Sequence, residues 1–213
     1  MNETATAIKG AREATKSRHR LAMIEATADA ICDHGLGDLS ISRILERAGL
    51  SRGMVNLHFS SKNKLLLEVA RYFSEAYADH WQKAMTAAGP NPEDRLRAII
   101  AADFDPSVLN RRTMAVWFAF RGDAHSVPDY LPYVDSRESR METALHEICD
   151  ALCADGAYPN VDTHRAVQAF VAILEGLWTD FHLHPDRFRR DEARRVVMHV
   201  AQAFFPNHFT TED

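Results

Sequence analysis

The 213-residue sequence predicts an all-α fold, and three observations lead to that class. Apolar residues recur at steps of three and four along most of the chain, which is the spacing of one buried helix face. No run of four or more residues shows the convincing apolar–polar alternation of a strand. Serine, glycine and proline separate the periodic stretches, as they do at the starts and ends of helices. We expect about nine helices.

Four of these helices are predicted within the first 88 residues or so. The first carries its apolar side chains on one face and ends before Gly35; those side chains are Leu21, Ile24, Ala28 and Ile31. The second and third helices, ending at about residues 48 and 58, are too short to be stable alone. The fourth is much longer. A serine that can act as the N-cap precedes each of the last three helices: Ser40, Ser51 and Ser61.

The C-terminal part of the chain begins after the sequence GPNP at residues 89–92, which interrupts the helical pattern. Further helices are predicted at about residues 93–103, 106–122, 135–154, 163–182 and 189–205. Residues 1–64 carry a net charge of +3 and residues 65–213 carry −8. A basic front on an acidic body suits a small domain that meets a polyanion. We therefore predict domains at 1–64 and 65–213, joined through the shared fourth helix.

The composition also bears on compartment and partners. No uncharged apolar run is long enough to span a bilayer, and the polar, basic N-terminus lacks the apolar stretch of an export signal. The three cysteines, Cys32, Cys149 and Cys153, are an odd number and do not form a disulfide framework. We expect a cytoplasmic protein with no membrane partner.

The stretch from Ser40 to Lys62 joins two very short helices by the turn Ala48-Gly49-Leu50-Ser51. Gly49 permits the positive φ that a sharp helix-to-helix turn needs. Leu50 can hold the turn against a core. A very short helix makes sense when a scaffold presents it to a groove, as in a helix-turn-helix whose second helix enters the DNA major groove. The alternative is an ordinary helical hairpin that never meets DNA.

Several side chains around this motif are predicted to contact double-stranded DNA. Asn56 is the best candidate for reading a base, because its amide can pair with adenine in the major groove. Arg52 could read guanine or touch phosphate, and the sequence leaves both open. Basic residues ahead of the first helix, serine hydroxyls and Lys62 could bind phosphates. The predicted set is Lys16, Arg18, Ser40, Ser51, Arg52, Met54, Asn56, Leu57, His58 and Lys62.

Residues 24–66, IEATADAICDHGLGDLSISRILERAGLSRGMVNLHFSSKNKLL, resemble the N-terminal domain of TetR-family transcriptional regulators. The resemblance rests on the glycine after the first helix, the Ala-Gly-Leu-Ser turn, Gly53, Phe59 and Lys62. Two positions depart from the family habit: Leu45 stands where a small alanine is frequent, and His58 stands where tyrosine is frequent. The second departure puts a tyrosine–phosphate contact in doubt.

Residues 103–124 and 170–181 resemble the choline-responsive BetI-type subgroup of that family. This resemblance implies a regulator that binds a palindromic operator as a dimer and is released by a small-molecule effector.

An aromatic and acidic set in the C-terminal part predicts the effector site. Aromatic faces beside a carboxylate hold quaternary ammonium groups through cation–π attraction and charge pairing. The effector would then be a small cation such as choline. The predicted set is Trp117, Phe120, Tyr130, Tyr133, Glu175, Trp178 and Phe181. The alternative is that these aromatic residues are core and the acidic residue faces solvent.

The last two predicted helices carry more apolar surface than one core face requires. Such an excess predicts a four-helix interface across a two-fold axis. The predicted interface residues are Phe170, Ile173, Leu177, Val197, Val200 and Phe204. A homodimer would present two reading helices to half-sites about one turn of DNA apart, or a multiple. The alternative is burial within one subunit.

Other function classes are less well supported by the sequence. There is no Cys-x-x-Cys and no His-Glu-x-x-His, and Cys149 and Cys153 at i and i+4 are typical of packing, so we expect no metal and no cofactor. An all-α enzyme would use a pair such as Glu147 with His146 or Asp180 with His182, but no nucleophile motif accompanies them. An architectural DNA-binding protein without an effector would leave about 150 residues without a purpose.

Overall fold

The computed structural model describes residues 2–135 and 140–210, with side chains described from residue 10 onward in those ranges. The helices are α1 (Asn2–His34), α2 (Ile41–Ala48), α3 (Gly53–His58), α4 (Lys62–Ala87), α5 (Pro92–Asp103), α6 (Arg111–Asp123), α7 (Leu131–Val134), α8 (Arg140–Gly156), α9 (Thr163–Leu183) and α10 (Arg190–Phe204). A 3₁₀ turn, Pro128–Tyr130, precedes α7. The predicted all-α class is confirmed. Over the described residues ten α-helices form rather than about nine, since the proline-interrupted segment contains the short α7.

Helix α1 begins far earlier than the sequence pattern predicted. The pattern placed its start near residue 21, whereas the structure begins it at Asn2. Residues 2–20 lack an apolar stripe, so periodicity does not detect them, but they contain no proline and many strong helix formers. The basic residues predicted to precede the first helix therefore lie within it.

The helix caps explain where most of the other elements begin. Ser40 Oγ accepts a hydrogen bond from the Arg43 amide, and Ser61 Oγ accepts one from the Lys64 amide, as the sequence predicted. Ser51 differs. Helix α3 has Arg52 at its N-cap without a side-chain capping bond, and the Met54 amide donates to the Ser51 carbonyl instead.

The chain forms two compact units. The first contains the residues up to Phe73 together with Ala115–Val134, and the second contains Ser74–Met114 and the described residues from Asp135 onward. Helix α4 contributes to both. The predicted boundary at residue 64 had assigned residues 115–134 to the second domain, whereas here they cluster with the first unit.

The core of the first unit is built from α1 to α4 and residues 116–134. In it α1 packs on α2, and the buried side chains include Met23, Ile31, Ile44, Leu45, Val55, Phe59, Leu65, Val69 and Phe120. In the second unit α8 packs on α5 and α9, and α10 packs on α5 and α9. Its buried side chains include Leu96, Ile99, Leu145, Ile148, Leu152, Val167, Phe170, Val197 and Phe205. None of the described helices is both long and apolar enough to cross a membrane.

Candidate DNA-binding surface and effector site

The turn between α2 and α3 has the geometry that the glycine predicted. Gly49 adopts φ +65°, its amide donates to the Glu46 carbonyl, and the Leu50 amide donates back to the Leu45 carbonyl. This left-handed C-cap ends α2 sharply and allows α3 to start at Gly53. The result is two short helices in a helix-turn-helix.

The outward side of α3 carries the predicted reading residues. Val55 and the following Phe59 are buried in the core of the first unit, which fixes one face of the helix. Arg52 and Asn56 are exposed on the other side, and Leu57 is 67% exposed. An exposed leucine beside an exposed amide can contact a thymine methyl group while the amide pairs with adenine. Met54 is half-buried against the core, so it offers less surface than predicted.

His58 does not face outward, and the prediction that it does is wrong. Both ring nitrogens are buried and have no hydrogen-bond partner among the described residues. The ring meets that of His19 on α1 edge to face, with 6.0 Å between centroids. Burial lowers the pKa of His58, and the charges of His19, Lys16 and Arg20 lower it further. His58 therefore packs α3 on α1 as a neutral imidazole at pH 7.

Arg20 also has a role that the sequence did not reveal. Its guanidinium donates to the His58 carbonyl at 3.1 Å, lies over the Phe59 ring and pairs with Glu68 of α4. Glu68 also accepts from Arg71, and these two arginines hold its pKa below the usual range, Arg71 contributing most. Arg20 thus positions the C-terminal end of α3 instead of reaching freely for phosphate.

The remaining predicted phosphate contacts divide into two groups. Lys16, Arg18, Ser40 and Ser51 are exposed. Lys62 is half-buried, and its ammonium group donates to the Leu39 carbonyl, which ties the start of α4 to the residue before the α2 cap. In this structure the ammonium group of Lys62 therefore stabilises the first unit and does not extend toward a phosphate.

The second unit contains a buried carboxylate that the sequence reading missed. Asp103, on α5, is 1% exposed. The Tyr77 hydroxyl donates to its Oδ1 at 2.6 Å, and Trp178 Nε1 donates to its Oδ2 at 2.8 Å. The Tyr77 and Trp178 rings meet edge to face at 5.1 Å, and Met141 Sδ lies 3.3 Å from the Tyr77 oxygen. Tyr77, Asp103 and Trp178 form what we call the Asp103 cluster.

A sequence signal for Asp103 did exist. Leu96, Ile99 and Ile100 form the buried stripe of α5, and Asp103 continues it at i+7, so a carboxylate occupies a core position. Burial raises the pKa of Asp103 to about 6, although the bonds from Tyr77 and Trp178 oppose that rise. At pH 7 the group is therefore mainly ionised, and no cationic side chain of the described residues forms an ion pair with it. A buried carboxylate without a cation is costly unless a cation arrives.

Of the predicted effector residues, Trp178 is the one that the structure places in the Asp103 cluster. Phe120 and Tyr130 lie in the core of the first unit, edge to face at 4.8 Å, which accounts for their burial without a ligand. Tyr133 packs against the same core, and Trp117 is half-buried on α6.

The other two predicted effector residues lie on α9, in the second unit. Phe181 is buried against Phe188, with Arg190 over its ring. Glu175 is half-buried on α9. The carboxylate that accepts a hydrogen bond from Trp178 is that of Asp103.

The residues predicted to form the dimer interface differ in how exposed they are. Phe170 and Val197 are fully buried within the chain itself, so they have no surface for a partner and that part of the prediction is wrong. Ile173, Leu177, Val200 and Phe204 keep part of their surface. Ala172 and Gly176 on α9, and Val196 and Ala203 on α10, are exposed beside them. These eight residues form what we call the outer apolar stripe.

The cysteines and histidines do not assemble a reactive centre in the described part of the chain. Burial raises the pKa of the Cys149 thiol to about 12, and the pKa of Cys153 is also raised, mainly by burial. Such thiols stay protonated and unreactive at pH 7. Within the residues described, no three His, Cys, Asp or Glu side chains are arranged to hold a metal ion.

Comparison with known proteins decides the family. Residues 23–69 match the family described as bacterial regulatory proteins, tetR family. Residues 92–206, more than half of the chain, match the family described as BetI-type transcriptional repressor, C-terminal. The chain belongs to the TetR family, with a BetI-type C-terminal domain. It is a helix-turn-helix transcriptional regulator rather than an enzyme, as both sequence resemblances predicted.

Individual relatives agree with this assignment. The HTH-type transcriptional regulator BetI of Yersinia pestis is 31% identical over 181 residues, covering 84% of this chain and 88% of the relative. The regulator of the same name from Pectobacterium carotovorum is 32% identical over 186 residues, covering 84% and 89%.

Solved structures share the fold of this BetI-type regulator. A transcriptional regulator from Pseudomonas aeruginosa superposes with a TM-score of 0.79 at 24% identity, covering 89% of this chain and 91% of that one. A transcriptional regulator from Saccharomonospora viridis in complex with choline superposes with a TM-score of 0.74 at 19% identity, covering 85% and 94%.

Proposed function

We propose that this BetI-type regulator is a repressor that binds a palindromic operator as a homodimer and is released by a small quaternary ammonium effector. The observation that carries the effector class is the Asp103 cluster, a buried carboxylate held between a tyrosine and a tryptophan. Choline is the first compound to test.

The chemistry of the Asp103 cluster favours a methylated cation. Trp178 and Tyr77 supply electron-rich ring faces, which attract a quaternary ammonium through cation–π interaction. The Asp103 carboxylate supplies the opposite charge, and its burial strengthens that attraction relative to water. The choline complex of the Saccharomonospora viridis regulator, a protein of the same fold, supports the same class of ligand.

On the DNA side, the exposed face of α3 carries the proposed readout. Asn56 and Leu57 would contact base edges, and Arg52 would contact guanine or phosphate. Lys16, Arg18, Ser40 and Ser51 would contact phosphates. His58 and Lys62 would act indirectly, by holding α3 and the start of α4 in place.

Release would follow from linkage between the two ligands. We take the effector to bind the DNA-incompetent state more tightly. Effector binding then lowers the affinity of the protein for the operator, and operator binding lowers the affinity for the effector by the same factor. Helix α4 runs through both units and is the element we expect to transmit the change.

The test compares choline with 3,3-dimethylbutan-1-ol, which has the same shape but no charge. We expect choline to raise the melting temperature of the purified protein, as any ligand of the folded state does, and the neutral compound to have little effect. Equal stabilisation by both compounds would remove charge recognition. A response to an anion alone would discard the cationic site and leave the repressor standing.

The DNA half of the proposal has its own test. Selection from random-sequence duplexes by the purified protein should enrich a palindrome, and choline should release it. Binding with no sequence preference would instead favour an architectural protein.

A further inference from the structure

Residues 10–18 of α1 are the first two and a half turns whose side chains the structure describes, and none of these residues is buried. From residue 10 to residue 18 each position is exposed except Thr15, which is half-buried, and the first buried residue among the described side chains of the helix is Met23. A helix that is polar all round gains nothing from packing, and isolated helical segments are marginal in water. Contact with a partner outside the unit would therefore stabilise it.

The charge of this segment indicates which partner. It exposes three cations, Arg12, Lys16 and Arg18, against one carboxylate, Glu13. None of the three cations forms an ion pair among the residues whose side chains are described. A polyanion is the complementary surface.

The two residues that follow this segment, His19 and Arg20, contact the proposed reading helix α3. His19 meets the ring of His58 at the end of α3, and Arg20 donates to the His58 carbonyl. Lys16 is one helical turn before His19 and therefore on the same side of α1. The segment thus leaves the first unit next to α3 and is continuous with the proposed DNA-binding surface.

We propose that residues 10–18 of α1 bind the phosphate backbone of the duplex flanking each operator half-site, beyond the bases that α3 reads. This inference rests on the proposed function, because it requires α3 to lie in the major groove. Nine helical residues rise about 13 Å, which corresponds to roughly four base pairs at about 3.4 Å each. The segment contributes affinity and salt dependence but no sequence preference.

The experiment uses the full chain and the palindrome that it selects from random duplexes. One duplex ends at the outer base pair of each half-site, and a second continues by ten base pairs on each side. The arm variant is Arg12→Ala/Lys16→Ala/Arg18→Ala. The matched control is Lys83→Ala/Arg187→Ala/Arg189→Ala, which removes the same charge from exposed positions of the second unit.

We expect the flanks to tighten binding of the unaltered protein and of the control by about tenfold or more, and to add nothing for the arm variant. The slope of log affinity against log salt on the long duplex should fall by about 0.9 per lost phosphate contact, hence by about 5 for three cations in each of two subunits. Circular dichroism and melting curves check that each variant is folded.

Two results would overturn the inference: equal affinity of the unaltered protein for both duplexes, or an arm variant that keeps the full gain from the flanks. Failure of the proposed function looks different, since the unaltered protein would then select no palindrome at all.

Discussion

At the scale of single residues, we expect Asp103 to make effector binding depend on pH. Its folded pKa of about 6 lies above the ordinary value of 3.8, so the folded state favours the protonated carboxyl. A carboxyl with a raised pKa costs stability once it ionises, and that cost is fully present above pH 6 and absent below about 4. A bound cation removes it. Choline should therefore bind more tightly as pH rises through 6.

The ionised fraction of Asp103 sets the size of the expected change in choline affinity. Between pH 5 and pH 7 the ionised fraction of a group with pKa 6 rises by roughly tenfold, and choline affinity measured by calorimetry should rise by about the same factor. Asp103→Asn should bind choline weakly and without that pH dependence. Asp94→Asn, which changes an exposed carboxylate of the same helix, should behave like the unaltered protein. A flat profile for the unaltered protein would exclude Asp103 as the counter-charge.

The position of a residue could be predicted from sequence where its cause is local, and not where it depends on residues far along the chain. Trp178 stands in a recognisable segment, and Asn56 follows from the register of a six-residue helix. The carboxylate that accepts from Trp178 is 75 residues away, and the tyrosine beside it is 26 residues from that carboxylate. No periodicity in the sequence indicates such a contact, so the sequence pointed to Glu175 on the same helix, whereas the carboxylate that accepts from Trp178 is that of Asp103.

At the scale of elements, the α2–α3 turn depends on one backbone conformation. Gly49 has φ +65°, and a Cβ added there would meet no atom within 4 Å. The cost of Gly49→Ala is therefore conformational, about 1 kcal/mol of unfolding free energy. A melting experiment on the first-unit transition should show it.

The neighbouring glycine provides the matched control. Gly53 begins α3, and a Cβ there also meets nothing within 4 Å, but its φ is not in the left-handed region. Gly53→Ala should raise stability by about 0.5–1 kcal/mol, because alanine loses less conformational freedom in a helix than glycine does. If both variants lowered stability equally, the turn conformation of Gly49 would not be the cause.

Element prediction followed the same division. The starts of α2 and α4 could be predicted because Ser40 and Ser61 cap the residue three positions ahead. Residues 2–20 of α1 could not, because their sequence lacks an apolar stripe and periodicity detects only such stripes. The inward position of His58 could not be predicted either, since it depends on His19 from another helix.

At the scale of the whole molecule, the outer apolar stripe on α9 and α10 is the surface we propose for the homodimer. It lies on these helices beside their buried residues, Phe170 and Val197 among them, so each helix has two apolar faces. One apolar face of each helix packs in the core of the second unit, and the other, made of small and apolar residues, is at least partly exposed. Two such helix pairs related by a two-fold axis would cover each other.

A charge placed in the stripe should separate the subunits. Leu177→Glu would bury a carboxylate without a partner at the interface, so we expect the mass in solution to fall from about twice 24.0 kDa to that of one chain. Val196→Glu makes the same test at a side chain that is 38% exposed and contributes little to the core, so its monomer should remain folded. Ala151→Glu, at an exposed position of α8 and therefore outside the stripe, should stay dimeric.

Dimer loss should also weaken DNA binding. When one reading helix of a dimer is bound, the second is held at a high effective concentration near its half-site, so the dimer binds more tightly than either subunit alone. We expect both stripe variants to bind the selected palindrome at least about 100-fold more weakly, while their affinity for a single half-site stays unchanged. Choline should still stabilise Val196→Glu, because the Asp103 cluster lies within one chain. If both variants remained dimeric by light scattering, the subunits would have to meet through another surface, and the operator symmetry would need a different origin.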